Sequence, residues 1–186
     1  MKVVLINGSP HRKGNTFIAL SEVAGALEKE GVQTEIIQLG IKAVQGCIAC
    51  NKCAELGHCV FQDTLYNQVR EALQEADGIV VGSTVYYAGP NGALCALLDR
   101  VFYSCSELLA YKAGASVAVC RRGGASATFD RLNKYFTILN MPVVSSQYWN
   151  SVHGMRPGEA TEDAEGLQTM RMLGRNMAWL LKRVKR

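Results

Sequence analysis

The chain has 186 residues, 48% of them hydrophobic and 19% charged, with four prolines; this lies outside the disordered, collagen-like and disulfide-scaffold ranges and predicts one globular domain over 1–186. The formal net charge is +4, and Lys182, Arg183, Lys185 and Arg186 account for it, so the remainder is neutral and nothing points to nucleic acid. The basic end reads as the last turn of a final helix, where cations complement the macrodipole.

The first apolar run, Val3 to Ile6, is interrupted by Gly8, Ser9 and Pro10. It is too short for the apolar region of a signal peptide, and no stretch reaches the ~18–20 apolar residues of a membrane span. The expectation is a cytoplasmic protein with no membrane partner. In chain order, a strand over 2–7 is followed by a helix marked by Phe17, Leu20, Ala24 and Leu27, then a strand over 34–39. Leu65, Val69, Ala72 and Leu73 mark the second helix, and a strand follows over 78–83. Leu94, Leu97, Leu98 and Val101 mark the third, before a strand over 115–121; Phe129, Leu132, Phe136 and Leu139 mark the fourth, before a strand over 142–149. Leu167, Met170, Leu173, Met177, Leu180 and Val184 mark the last, after Thr161, Glu162 and Asp163, a cap and acidic first turn. Alternating strands and helices predict a parallel sheet covered on both faces. Ligands of such sheets sit outside the carboxyl ends of the strands. Residues 8–16, a cysteine cluster, and residues 84–92, 121–128 and 150–154 are therefore expected at one edge.

The segment GSPHRKGNT after the first strand can wrap backbone N–H groups around an anion at a helix N-terminus. Gly8 and Gly14 allow unusual backbone, Ser9, Asn15 and Thr16 offer hydrogen bonds, and Arg12 and Lys13 bring charge. It is neither a GK[ST] nucleotide loop nor G-x-G-x-x-G, so a phosphomonoester suits it better than ATP or a dinucleotide. The alternative is that Asn15 merely caps the first helix.

With TVYYAGPNGALCALLDR after the third strand and RRGG after the fourth, this loop resembles the flavodoxin-like NAD(P)H-dependent FMN reductases. The resemblance implies a three-layer α/β sandwich whose five-stranded parallel sheet has the order 2-1-3-4-5. It further implies that Ser9, Arg12, Gly14, Asn15 and Thr16 hold the FMN phosphate. Thr84, Val85, Tyr86, Tyr87 and Gly89 would lie along the isoalloxazine ring, with Arg121, Gly123 and Gly124 as a second ring-side loop. For Tyr86 and Tyr87 simple packing or a subunit contact is the alternative, and for Arg121 and Arg122 a solvated turn. The implied activity is an oxidoreductase passing electrons from NAD(P)H through FMN to a quinone, flavin, azo or nitro compound. A homodimer or homotetramer is implied too, with Tyr86, Tyr87, Phe102 and Tyr103 as aromatic surface.

Cys47, Cys50, Cys53 and Cys59 follow a C-x2-C-x2-C-x5-C spacing. Two short gaps in succession can gather three thiolates around one inorganic cluster, with the fourth closing it, whereas structural zinc more often uses two separated knuckles. The spacing is similar to that of iron-sulfur flavoproteins, a branch of the same superfamily carrying [4Fe-4S] near FMN. That branch implies an electron carrier working with a ferredoxin-like partner. Three readings stand: a [4Fe-4S] site, cluster-free thiols and zinc. His58 is adjacent and offers a replacement ligand. Cys95, Cys105 and Cys120 read as core residues, and His11 and His153 as loop residues at the ligand edge. No Ser-His-Asp signature, H-E-x-x-H site or carboxylate pair is present, so hydrolysis has no visible machinery.

Overall fold

In the computed structural model, which describes residues 1–184, the first apolar run becomes β1 (Lys2–Asn7), buried from Val3 onward. It is followed by α1 (Asn15–Lys29), β2 (Gln33–Gln38), the one-turn α2 (Cys53–Leu56) and α3 (Thr64–Glu75). Next come β3 (Gly78–Tyr86), the two-residue β4 (Gly89–Pro90), α4 (Gly92–Ser104) and the one-turn α5 (Ser106–Leu109). The remainder is β5 (Ala113–Cys120), α6 (Ala125–Thr137), β6 (Ser151–His153), a 3-10 turn (Glu159–Glu162) and α7 (Ala164–Val184). Lys185 and Arg186, expected in the cationic end of the last helix, lie outside the described residues.

The strands line up as β2-β1-β3-β5-β6, all parallel, with β4 folded back antiparallel on β3. Setting that hairpin aside, this is the expected 2-1-3-4-5 order. Two cores explain why the central strands carry no polar alternation. Val4, Ile6, Ile79 and Val81 pack with Val69, Leu73, Leu97, Val101 and Phe136 on the α3, α4 and α6 side. Val3, Leu5 and Val80 pack with Leu20, Val23, Leu173 and Met177 on the α1 and α7 side. Successive residues of a strand point to opposite faces, so a strand roofed on both sides must be apolar throughout.

The fifth strand differs from expectation. The run 142–149 makes only an isolated bridge, Val143 with Gly114, and regular pairing begins at β6. Side chains take over the ladder between them. Ser146 Oγ lies 2.6 Å from both the Tyr148 carbonyl and Asn150 Oδ1, and Asn150 Nδ2 donates to the Ser116 carbonyl at 3.1 Å. The intervening loop thereby swings Tyr148 and Trp149 outward, both exposed, with ring centroids 5.3 Å apart.

Candidate functional site

The carboxyl ends of β1, β3 and β5 open onto one edge, and the loop after β1 is anchored there. Gly8 N–H donates to the Gly82 carbonyl at 2.8 Å, and a Cβ on Gly8 would lie 2.7 Å from that oxygen, so no larger residue fits. Asn91 locks the other side: Nδ2 donates to the Gly8 carbonyl at 2.9 Å, and Oδ1 accepts the Ala93 N–H at 2.8 Å, capping α4. Ser9 is buried and inward-tied, its hydroxyl accepting the His11 N–H at 3.1 Å and its carbonyl accepting Gln38 Nε2 at 2.6 Å. The first helix begins with Gly14 as its cap residue, no side-chain cap and no acidic residue in its first turn. Exposed Arg12 and Lys13 stand beside it. Free N–H groups, an uncompensated positive dipole end and two cations are chemically suited to an anion. The Thr16 side chain has no hydrogen-bond partner among the described residues, although the residue is 2% exposed, and this leaves its hydroxyl for such a ligand.

Asn15 has a different duty. Its Oδ1 accepts N–H groups of Gly158 and Ala160 at 3.0 and 3.2 Å, and its Nδ2 donates to the Arg156 carbonyl at 2.9 Å. The side chain staples the segment after β6 to the start of α1 and leaves only its backbone N–H for an anion; it is not the cap of that helix.

The segments 84–89 and 121–124, expected to border the ring, meet each other. Thr84 and Val85 are half-buried, Tyr86 is 48% exposed, and Tyr87 is fully exposed. Tyr87 and Ala88 adopt left-handed φ of 49° and 57°, making the tight turn that returns the chain through Gly89 to β4. Non-glycine residues avoid that region at a cost of about 1–2 kcal/mol each, so the turn needs external support. Gly124 supplies it: with φ 83°, it packs where a Cβ would lie 2.7 Å from Ala88 Cα and 3.0 Å from Val85 Cγ1. Arg121, Arg122 and Gly123 are exposed along the same rim. Phe102 offers no surface, contrary to expectation: it is 4% exposed and packs on Tyr135 and Phe136, with ring centroids 5.2 and 5.8 Å away.

The four clustered cysteines line one cavity, graded from exposed Cys47 and Cys50 through half-buried Cys53 to buried Cys59. Ala49 and Asn51 lie between them with left-handed φ of 53° and 58°, which curls the chain so that the Ala49 N–H lies 3.4 Å from Cys47 Sγ. Tyr103 Oη donates to Asn51 Oδ1 at 3.0 Å and holds the curl against α4. Burial pushes the Cys53 thiol up, and the nearness of Cys50, Cys47 and Cys59 adds to the rise. A cationic metal centre relieves this crowding of sulfur ligands, so the donor set fits one. Among the described residues no three His, Cys, Asp or Glu side chains converge tightly enough for a single ion. His58 turns away, its Nδ1 lying 3.0 Å from the Cys59 carbonyl oxygen.

Sequence reasoning missed Arg100. It lines the same cavity, with its side chain 0% exposed and NH2 2.6 Å from Asp63 Oδ2. The signal was present: an arginine three residues after Leu97 and next to Val101 falls on the apolar face of a helix, where a cation needs a partner. Asn91 was equally legible as the N-cap residue before α4. At the outer rim, Asp163 Oδ2 accepts the His153 N–H at 2.7 Å and lies 3.2 Å from the ring Nδ1, while Oδ1 accepts the Gly166 N–H at 2.9 Å and caps α7. Cys105 and Cys120 are buried as expected, Cys95 half-buried.

The chain is similar to known proteins. The family profile described as NADPH-dependent FMN reductase matches residues 1–155. An iron-sulfur flavoprotein of Methanocaldococcus jannaschii is 37% identical, the alignment covering all of both chains. One from Methanosarcina thermophila is 27% identical over all of this chain and 98% of its own. Among solved structures, a flavodoxin from the domain Archaea superposes with a TM-score of 0.65 at 16% identity, covering 98% of this chain and 99% of that one. Fold and sequence agree: the chain belongs to the flavodoxin-like NADPH-dependent FMN reductase family, in its iron-sulfur flavoprotein branch, and is an oxidoreductase-type flavoprotein.

Proposed function

We propose that the protein binds FMN at the β1–β3–β5 edge and a [4Fe-4S] cluster in the four-cysteine cavity, and exchanges single electrons with a ferredoxin-like redox partner. The observation behind this reading is the shared cavity of Cys47, Cys50, Cys53 and Cys59. Four cysteines lining one cavity, without three of them converging on a single ion, suit a multi-iron cluster better than one zinc ion. FMN supplies an exchange between two-electron and one-electron chemistry, and the cluster a one-electron step. The chain's own residues do the holding. The N-terminus of α1, Thr16, Arg12 and Ser9 would receive the phosphate, with Gly14 and Asn15 through their backbone. Thr84, Val85, Tyr86, Tyr87 and Gly89 would border one side of the ring, and Arg121, Gly123 and Gly124 the other.

A second reading, direct reduction by NAD(P)H with delivery to a small acceptor, is favoured by exposed Arg121 and Arg122 in the loop whose Gly124 packs against Ala88, cations suited to an anionic nucleotide. We further propose a homodimer or homotetramer that covers Tyr86 and Tyr87, and a cytoplasmic setting, since the seven cysteines are all free thiols. No helix among the described residues is long and apolar enough to cross a membrane.

The deciding experiment is an anaerobic visible spectrum with iron analysis. The cluster reading expects about four irons per chain, lost in Cys50→Ala while FMN is retained. Absence of iron after anaerobic reconstitution, together with rapid flavin bleaching by NAD(P)H alone, would leave only the second reading.

A further inference from the structure

The guanidinium of Arg100 is an expensive thing to bury, and the chain completes its pairing only in part. NH1 donates to the Phe61 carbonyl at 3.1 Å, and the group lies 5.3 Å from the centroid of the Tyr66 ring. NH2 is 2.6 Å from Asp63 Oδ2, off hydrogen-bond geometry, and that carboxylate is 47% exposed, so water weakens its hold on the buried cation. Nε has no hydrogen-bond partner among the described residues. A permanently charged donor left unsatisfied in the interior is strongly unfavourable unless something anionic faces it. The same side chain lines the cavity shared by the four cysteines, and two groups that hold it, Phe61 and Asp63, lie two and four residues after Cys59 in the chain.

We infer that Arg100 is the positioning and charge-balancing residue of the four-cysteine site, a fixed cation that favours its reduced state, with Asp63 setting how much of that charge the site feels. The inference rests on the cluster reading above. A cluster ligated by four thiolates is net anionic and gains one further negative charge for each electron accepted, so a nearby buried cation stabilises the reduced form more than the oxidised one. Asp63 opposes this, and the two residues must therefore shift the potential in opposite directions.

The test is an anaerobic dithionite titration of the iron-loaded protein, followed by the electron paramagnetic resonance of the reduced cluster, with FMN content as the measure of correct folding. Arg100→Gln should lower the reduced-to-oxidised ratio at fixed potential by about tenfold, which is ~59 mV for a one-electron couple. Asp63→Asn should raise it, and the asparagine keeps the cap that Asp63 gives the Tyr66 N–H at 3.1 Å. Arg100→Lys should stay nearer the native potential than Arg100→Gln. A merely structural arginine would cost stability in both variants without opposite shifts. If Arg100→Gln fails to fold, Asp63→Asn carries the test alone: a raised potential supports the inference, and an unchanged one overturns it. Native iron content with unmoved or same-signed potentials overturns the role of Arg100 alone. A native protein that takes up no iron overturns the cluster reading, and this inference with it.

Discussion

Asn15 and Gly158, 143 residues apart in the chain, are joined by a 3.0 Å hydrogen bond from the Gly158 N–H to Asn15 Oδ1. With the bonds to Ala160 and Arg156, one amide fastens the segment between β6 and α7 to the start of α1, where we propose the phosphate binds. Replacing Asn15 with Ala leaves the partly buried N–H groups of Gly158 and Ala160 unpaired and should cost about 1–3 kcal/mol. Thermal melts of the apoprotein should show a fall of about 2–4 °C for each kcal/mol lost. An unchanged melt would mean that the segment is held by other contacts.

Thr16→Val should behave in the opposite sense. Its hydroxyl has no partner among the described residues, so removing it barely touches folding, while a lost hydrogen bond to a charged phosphate is worth about 1.5–3 kcal/mol. Fluorescence titration should show FMN affinity reduced by about 10- to 150-fold by that bond energy. The native protein should also bind riboflavin, which lacks the phosphate, much more weakly than FMN. Equal affinities would place the phosphate away from α1.

Gly124 supports the Tyr87–Ala88 turn from below, and Gly124→Ala meets two obstacles at once. Its φ of 83° disfavours any side chain, and the added Cβ would lie 2.7 Å from Ala88 Cα, a backbone atom that cannot swing aside. A loss of at least about 1–2 kcal/mol is expected from the left-handed conformation alone. FMN binding should weaken as the two loops proposed to border the ring separate. Full retention of both stability and affinity in this variant would show that the turn supports itself.

Asp163 governs an acid-side transition. Burial would raise its pKa, but hydrogen bonds from Gly166 N–H, His153 N–H and the His153 ring outweigh it and hold the carboxyl below its ordinary value. Because the folded value is depressed, the stabilisation is fully present above the unfolded aspartate pKa near ~3.9 and is lost as pH falls through the folded value. The stability gap between native protein and Asp163→Asn, read from urea midpoints, should be widest near neutrality and close in acid. A gap that stays constant with pH would refute the assignment.

Much of the molecule is legible before folding. Two-sided burial forces β1 and β3 to be apolar throughout, and the helical period of Leu94, Leu97, Leu98 and Val101 marks the buried face of α4. The spacing of the four cysteines brings them to one place because short loops cannot separate them far. Local chemistry decides these matters, and it is written in neighbouring residues. What the chain order could not show depends on partners distant in sequence. Asn15 looks like a cap or phosphate ligand until Gly158 and Ala160 claim its side chain. The expected strand over 142–149 yields to a loop because Ser146 and Asn150 replace ladder bonds with their own. Phe102 resembles surface until Tyr135 and Phe136 cover it. Arg100 falls on the apolar face of its helix in the sequence, but only tertiary packing places it against the cysteine cavity. In each case the energy of a polar or aromatic side chain is set by what folding brings opposite it, and only the tertiary structure determines that.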